Sequence, residues 1–534
     1  MPSTPTTKSQ VQAYRFVLRR MQSALVRKDA VMLHDPMRTH TRAITVGVIV
    51  SCLGLVGFVV FGLFKPSPSA PSQGIVISKE SGAVYVATSN PRQLVPVLNL
   101  ASARLMLMQE SSSSGSNAPA PSEGGPAGGP PTVVDDSALQ GIPRGRLAGI
   151  PGAPLLLPEK QEQRTSPNWA VCDQLDVQGS QPDAGSRANV QTTVLGGVAD
   201  MHGLHPLGPR DAVLAAAPDG QTYLVYPTPP GSKIGASAVR ARVDLSDTAV
   251  AANFNLRDAK PRRMTAAELN AIPEVRRLAV PNVDGEGAQP KGYDVGIAAK
   301  IGTVVQAQVA GEDPHYYLVL KDGLQQVSPA VAQLFQAENA PNQQVIPSIT
   351  ARQEATAPRT QNPLPVGDFP AERPNVISAS DAPVSCLSWS LKDGDEHTEV
   401  LLGSQVPVPQ GMQPVQLNQP GAGGELVKWF YLPPGHAAMV RSVSSKADFA
   451  SGPLTLVADT GVRFGIPDVA TATALGVNTN NGNFDPAPDA ILRLLPAGPS
   501  LNHNDALRTF DTVPVDNRAG TWPTPTSTRS AGGS

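Results

Sequence analysis

A chain of 534 residues with 54 prolines, 48 glycines and only 4% aromatic residues is long enough for several domains but lean in the large side chains that fill a dense core. Its formal charge of −2 is unevenly placed: residues 1–42 hold Lys8, Arg15, Arg19, Arg20, Arg27, Lys28, Arg38 and Arg42 against Asp29 and Asp35, a net +6, which leaves −8 for everything beyond. An acidic excess over the larger part of the chain argues against nucleic acid as a partner.

Within the basic arm (residues 1–42), "SQVQAYRFVLRRMQSALV" sets Val11, Tyr14, Val17, Leu18, Met21 and Leu25 at three- and four-residue steps, the apolar stripe of an amphipathic helix with Arg15, Arg19 and Arg20 elsewhere. Such a stripe needs a cover. Two fit: the anionic inner leaflet of a membrane, or the cytoplasmic domain of a partner, for which these six residues are the candidate docking face.

Residues 43–64 follow without a single charge. Read as helix at roughly 1.5 Å per residue they extend about 33 Å, which matches a hydrocarbon layer of about 30 Å. A core helix and a signal-peptide core are the other readings. The 42 preceding residues and the prolines that follow favour a retained transmembrane anchor. The basic flank lies before the span, so the N-terminus is expected in the cytoplasm and the bulk outside it. Gly47, Gly54, Gly57 and Gly62 hint weakly at close helix packing.

Past a proline-bearing stalk (residues 65–73), "GIVISKESGAVYVATS" alternates apolar residues around a Ser-Gly turn and leads to a helical "PVLNLASARLMLM", a first repeat over 74–109. "YLVLKDGLQQVSPAVAQLF" from Tyr317 and "LTLVADTGVRFGIPDVATATALG" from Leu454 repeat the order of strand, Asp-containing turn, strand and helix, with Pro329 or Pro467 at the helix start and Pro96 in the matching place of the first copy. "YLVYPTPPGSKIGASAVRARVDL" from Tyr223 is a degenerate copy without that proline. Four ββα-like units at uneven spacing predict repeats placed around other material rather than a solenoid. The middle, 245–300, where Thr265 and Glu268 form a capping-box pattern, is the expected central domain.

The Ser/Gly/Pro-rich stretch 110–135 and the tail 506–534 lack the apolar content to order and are expected to be flexible, which leaves 136–505 for the remaining repeats and the central domain. Cys52 lies in the span, so Cys172 and Cys386 are the two thiols of the outer part, where disulfides persist. They are expected to pair, the alternative being two separate buried thiols. A bridge closing about 214 residues contributes at most roughly 4 to 5 kcal/mol by chain entropy.

Catalytic signatures are sparse. No Gly-x-x-x-x-Gly-Lys-Ser/Thr, Gly-x-Ser-x-Gly or His-Glu-x-x-His occurs. "ADMHGLHP" offers Asp200, His202 and His205 without a third histidine or a cysteine nearby, and reads as an exposed loop sooner than a metal site. Asp459-Thr460-Gly461 matches an aspartic-protease motif, with Asp511 in "FDTV" to offer as the second carboxylate, but Asp322-Gly323 holds the same place in another repeat, as a tight turn requires. No catalytic residue, metal or cofactor is assigned.

"QSALVRKDAVMLHDPMRTHTRA", "NLASARLML", "LPPGHAAMV", "DTGVRFGIP" and "ILRLLPAGPSLN", in this order around one span, closely resemble EccB, a membrane component of the mycobacterial type VII (ESX) secretion systems. The resemblance runs from about residue 7 to residue 502. It implies an α+β protein with a single transmembrane helix and an elongated periplasmic region of four small β-rich repeats flanking a central domain. It also implies a disulfide at the positions of Cys172 and Cys386. The implied setting is a six-fold inner-membrane complex with EccC (the FtsK/SpoIIIE-type ATPase), EccD, EccE, the MycP protease and further copies of itself. The family's repeats are similar to phage-lysin wall-binding modules, so a peptidoglycan-binding module is one alternative to a scaffold. An ATPase, as the family is sometimes labelled, is another, although this sequence lacks the phosphate loop that label requires.

Overall fold

The computed structural model describes residues 7–27, 36–64, 69–108, 129–176, 189–232, 234–297, 299–308, 311, 313–339, 345–421, 427–477 and 484–513. Most of the expected flexible insertion, the C-terminal tail beyond 513 and part of the stalk lie outside the described residues. The chain forms two compact units, Met1–Ser69 and Ala70–Ser534.

The first unit holds the helices Lys8–Arg27 and Pro36–Phe64. Within the latter, His40–Gly62 is long and apolar enough to cross a membrane, and its side chains are exposed throughout.

The second unit uses one small motif four times. In the first copy Gly74–Ser78, Val84–Ser89 and Arg92–Val97 run antiparallel in succession, the helix Leu100–Leu107 follows, and Thr132–Val134 returns parallel to the first strand. The second copy has the strands Asp211–Ala216, Thr222–Pro227 and Ala238–Val243, the helix Thr248–Asn253 and the return strand Arg262–Arg263. In the third these are Val304–Ala307, His315–Val319, Leu324–Val327, Pro329–Asn339 and Ser348–Ile349. In the fourth they are Ala437–Val443, Leu454–Ala458, Arg463–Ile466, Val469–Ala474 and Asp485–Pro488.

Each unit is therefore βββαβ, one antiparallel strand and one return strand larger than the ββα pattern in the sequence. The return strands are two to four residues long, too short to show a period. Beyond them the chain also touches the third strand, at Leu147–Ala148, Glu274–Leu278, Arg359 and Ala497, so both edges of every three-stranded core are covered. The expected boundaries shift accordingly. The first repeat extends past 109 to 148, part of the expected insertion is the strand Thr132–Val134, and Thr509–Phe510 pairs with Leu147–Ala148 where a loose tail is expected.

A second correction concerns the repeat marker. Pro96 lies inside the strand Arg92–Val97 and does not start a helix. What recurs is a polar cap whose side chain accepts from a backbone N–H of the first turn: Asn99 from Ser102, Asp247 from Ala249 and Val250, Ser328 from Val331, and Asp468 from Thr471. Among the four repeat helices, Pro329 is the one proline at a first helical position, where its missing N–H costs nothing.

The repeats pack in pairs through their helices. Ala101 and Leu105 of the first copy share a core with Leu456, Phe464, Ala472 and Leu475 of the fourth. Buried Arg104 spans that joint, donating to the Leu475 carbonyl and to Glu159. Val250 and Phe254 of the second copy share a core with Val331, Leu334 and Phe335 of the third, and Asn253 donates across to the Ala330 carbonyl.

Between these pairs in sequence lies the material of a seven-stranded sheet drawn from two distant segments: Asn168–Leu175, Val190–Gly196 and Leu204–Pro206, then Val384–Lys392, Asp395–Gly403, Val415–Gln416 and Trp429–Tyr431. The central domain is thus not 245–300, which instead completes the second repeat and leads to the third. Nor is the capping box complete, since Thr265 accepts from the Glu268 N–H but Glu268 is buried and turned to other partners.

The Asp-Gly turns fall between second and third strands of their repeats. Gly323 has φ +159°, and a Cβ there would stand 2.5 Å from the Pro358 carbonyl oxygen and 2.8 Å from the Arg359 carbonyl carbon. Those are backbone atoms of the segment that covers the third strand, so they yield only if it moves. Gly323→Ala is expected to cost about 1–3 kcal/mol in a thermal melt of the outer unit. An unchanged melting temperature would show that the segment is loosely held.

Candidate functional site

On the helix Lys8–Arg27, Val11, Tyr14, Leu18, Met21 and Leu25 fall on one face and Val17 on its border, as the helical repeat dictates. All six are solvent-exposed, from 41% for Leu18 to 79% for Leu25. Within its unit this face is uncovered, unusual for a contiguous apolar stripe. Phe16, 61% exposed, projects from the opposite side among the basic residues, and the stripe pattern passes over it. The basic residues Lys8, Arg15, Arg19, Arg20 and Arg27 of the same helix lie off this apolar face.

In the outer unit, Cys172 and Cys386 are disulfide-bonded, and they stand directly opposite one another on the adjacent antiparallel strands Asn168–Leu175 and Val384–Lys392. The bond lies in a core of Ala170, Leu195, Val384, Leu401 and Tyr431. Strand alternation sends the neighbouring tryptophans to the other face. Trp169 and Trp389 are also direct cross-strand partners, both 1% exposed, in the large core that joins the central sheet to the second and fourth repeats.

Asp173 and Ser385, one position from each cysteine, are cross-strand partners as well and are fully buried. They meet the short helix Ala266–Ala271 of the second repeat. Asp173 accepts from the Thr265 N–H at 2.6 Å and from the hydroxyls of Thr265 and Thr192, while Ser385 donates to Glu268 Oε2 at 2.8 Å. Arg262 donates to the Ala382 and Pro383 carbonyls. Burial, and then the nearby Asp173, push the Glu268 carboxyl well above the usual carboxylate range, with Arg262 opposing. Burial likewise lowers Arg262, against the pull of Glu268 and Asp173. Sequence spacing carries no sign of this cluster, because its members come from segments about a hundred residues apart.

A cleft of about 1240 Å³ opens beside it, floored by Leu387 and Trp389 and walled by Ala267 and Asn270 of the second repeat and Ile491 and Leu494 of the fourth. Trp389 Nε1 is satisfied by Glu396 at 2.6 Å.

Other flagged residues do not converge. Asp200 and His202 pair at 2.8 Å in an exposed loop, while His205 belongs to the strand Leu204–Pro206 against Leu402. Asp459 accepts from the Gly435 N–H in its turn. Among the described residues no group of three or more His, Cys, Asp or Glu is placed to hold a metal ion.

Among the described residues one helix is long and apolar enough to cross a membrane; an uncovered amphipathic helix precedes it and a repeat-built β-rich region follows it in sequence, the pattern of a membrane-anchored protein. The chain matches, over residues 3–515, the family model described as type VII secretion system ESX-1, transport TM domain B, and it belongs to that EccB family. It is 34% identical over 533 residues to the ESX-3 secretion system ATPase EccB3 of Mycobacterium tuberculosis, covering 96% of this chain and 91% of that one. Against the ESX-1 secretion system ATPase EccB1 of the same organism it is 29% identical over 515 residues, with 96% of each chain covered. Among solved structures, a chain of an intact ESX-5 inner membrane complex aligns with a TM-score of 0.68 and 28% identity over 98% of this chain and 99% of that one. A chain of an EccB3 dimer from the ESX-3 core complex aligns with a TM-score of 0.64 and 29% identity over 82% and 100%.

Proposed function

We propose that this chain is a structural component of a type VII secretion inner-membrane complex, scaffolding the part of that complex outside the cytoplasm for protein export across the envelope. The observation that carries the reading is the alignment of nearly the whole chain with one subunit of an intact inner membrane complex, the span and arm included. One apolar helix then suffices, since the chain joins a larger channel and need not form one.

In this reading residues 1–42 are a cytoplasmic arm, 43–64 the span and the remainder periplasmic, an orientation supported by the +6 charge before the span. The face of Val11, Tyr14, Val17, Leu18, Met21 and Leu25 docks to a partner's cytoplasmic domain. The partners are EccC, EccD, EccE and the MycP protease, with further copies of this chain in a six-fold assembly. ATP turnover belongs to EccC, because the sequence has no loop to cradle phosphates.

Purification through a C-terminal tag in mild detergent is expected to yield a particle of roughly a megadalton or more that contains an FtsK-type ATPase. A lone protein or a small homo-oligomer would overturn the scaffold reading.

A further inference from the structure

The joint between the second repeat and the disulfide-bonded strands is closed by acids rather than by an ion pair. Glu268 is fully buried on the helix Ala266–Ala271, and its Oε2 accepts from Ser385. Its Oε1 is enclosed, and among the described residues no donor reaches it. Asp173, also fully buried, spends its oxygens on the Thr265 N–H and on the hydroxyls of Thr265 and Thr192. The one cation of the cluster, Arg262, gives its two terminal nitrogens to the Ala382 and Pro383 carbonyls, and among the described residues its Nε meets no acceptor.

Two carboxylates and one guanidinium in a buried seam leave one negative charge too many, a state that costs more than protonating one acid. A proton on Glu268 removes the surplus charge and supplies a donor for the hydrogen bond between this side chain and Asp173.

We propose that this Glu268–Asp173 pair is a proton-operated latch, holding the second repeat against the disulfide core while Glu268 is protonated and releasing it when Glu268 ionises. The ionisable groups facing Glu268 are Asp173 from the strand Asn168–Leu175 and Arg262 from the second repeat, while the strand Val384–Lys392 contributes the Ser385 hydroxyl. The helix Asp489–Leu492 of the fourth repeat packs on the same helix, but its Asp489 is engaged by Arg493 and Ser442. A carboxyl raised in the folded state stabilises it fully below the unfolded value, and that stabilisation is lost as pH rises through the raised value. The latch is therefore tight in acid and opens toward alkaline pH.

The test is hydrogen exchange of the backbone amides of residues 265–271 in the full-length protein in detergent, between pH 5 and pH 9, normalised to amides of the helix Leu100–Leu107 to remove the intrinsic pH effect. In the wild type, protection is expected to fall by about tenfold or more across this range. Glu268→Gln, which donates to Asp173 and accepts from Ser385 at every pH, is expected to be flat, and so is the apolar Glu268→Met. A flat wild-type profile would overturn the latch, and so would either folded variant with the wild-type slope. The measurement reads a seam inside the outer unit and is independent of whether the chain enters a secretion complex.

Discussion

Removing the disulfide with Cys172→Ala and Cys386→Ala is expected to lower the melting temperature of the outer unit by about 5 °C. The bond joins residues 214 apart, and the entropy of closing such a loop in the unfolded chain corresponds to about 4–5 kcal/mol, a third or more of the net stability of an ordinary domain. The site gives little back. Ala170, Leu195 and Leu401 pack around the sulfurs, so truncation leaves a void between strands already in direct register. The loss falls on the central sheet, since the bonded strands are neighbours in its middle and carry both the tryptophan pair and the Asp173–Ser385 seam. A melt of oxidised wild type beside the double variant reads the effect. A difference within about 2 °C would mean that repeat packing alone fixes the register.

Val17→Asp, Leu18→Asp and Met21→Asp together are expected to detach the protein from its complex while leaving it in the membrane. These side chains are between 41% and 57% exposed within their own unit, so the triple change costs little fold stability. In an interface it buries three carboxylates without matching cations, each costing several kcal/mol, which is enough to abolish binding at any cellular concentration. The span is untouched, so the variant should still sediment with membranes. Loss of the FtsK-type ATPase from the purified particle supports docking. An intact particle would assign the stripe to the lipid leaflet, and release of the arm from anionic vesicles would then be the effect of the three charges.

The fold was legible where local chemistry repeats. Asp322-Gly323 and Asp459-Thr460-Gly461 mark turns because positive φ and tight reversal demand those residues, and short apolar runs on either side mark the strands they join. The membrane span and the stripe on Lys8–Arg27 follow from length and helical period alone. The repeat register went astray on proline, because Pro96 and Pro467 stand before or within different elements while the cap residues Asn99, Asp247, Ser328 and Asp468 carry the physical signal. The central sheet was invisible for a different reason. Its two halves are separated by the second and third repeats, and nothing in "NWAVCDQL" or "VSCLSWSLK" states that they are neighbours except the cysteines. The Glu268 seam lay further out of reach, since Thr265 and Glu268 spell a helix cap and only tertiary packing turns the carboxylate inward.

The nesting of repeats two and three between the bonded cysteines has a mechanical meaning. Tension entering at the anchored end passes through the first repeat to the strand of Cys172, and the covalent bridge hands it straight to the strand of Cys386 and on to the fourth repeat. The enclosed pair of repeats is bypassed, as a side branch is bypassed by a short circuit. Pulling on the ends of the oxidised chain should therefore extend it by the outer repeats and by those central strands that lie outside residues 172–386, with the enclosed length released only after the bridge is reduced.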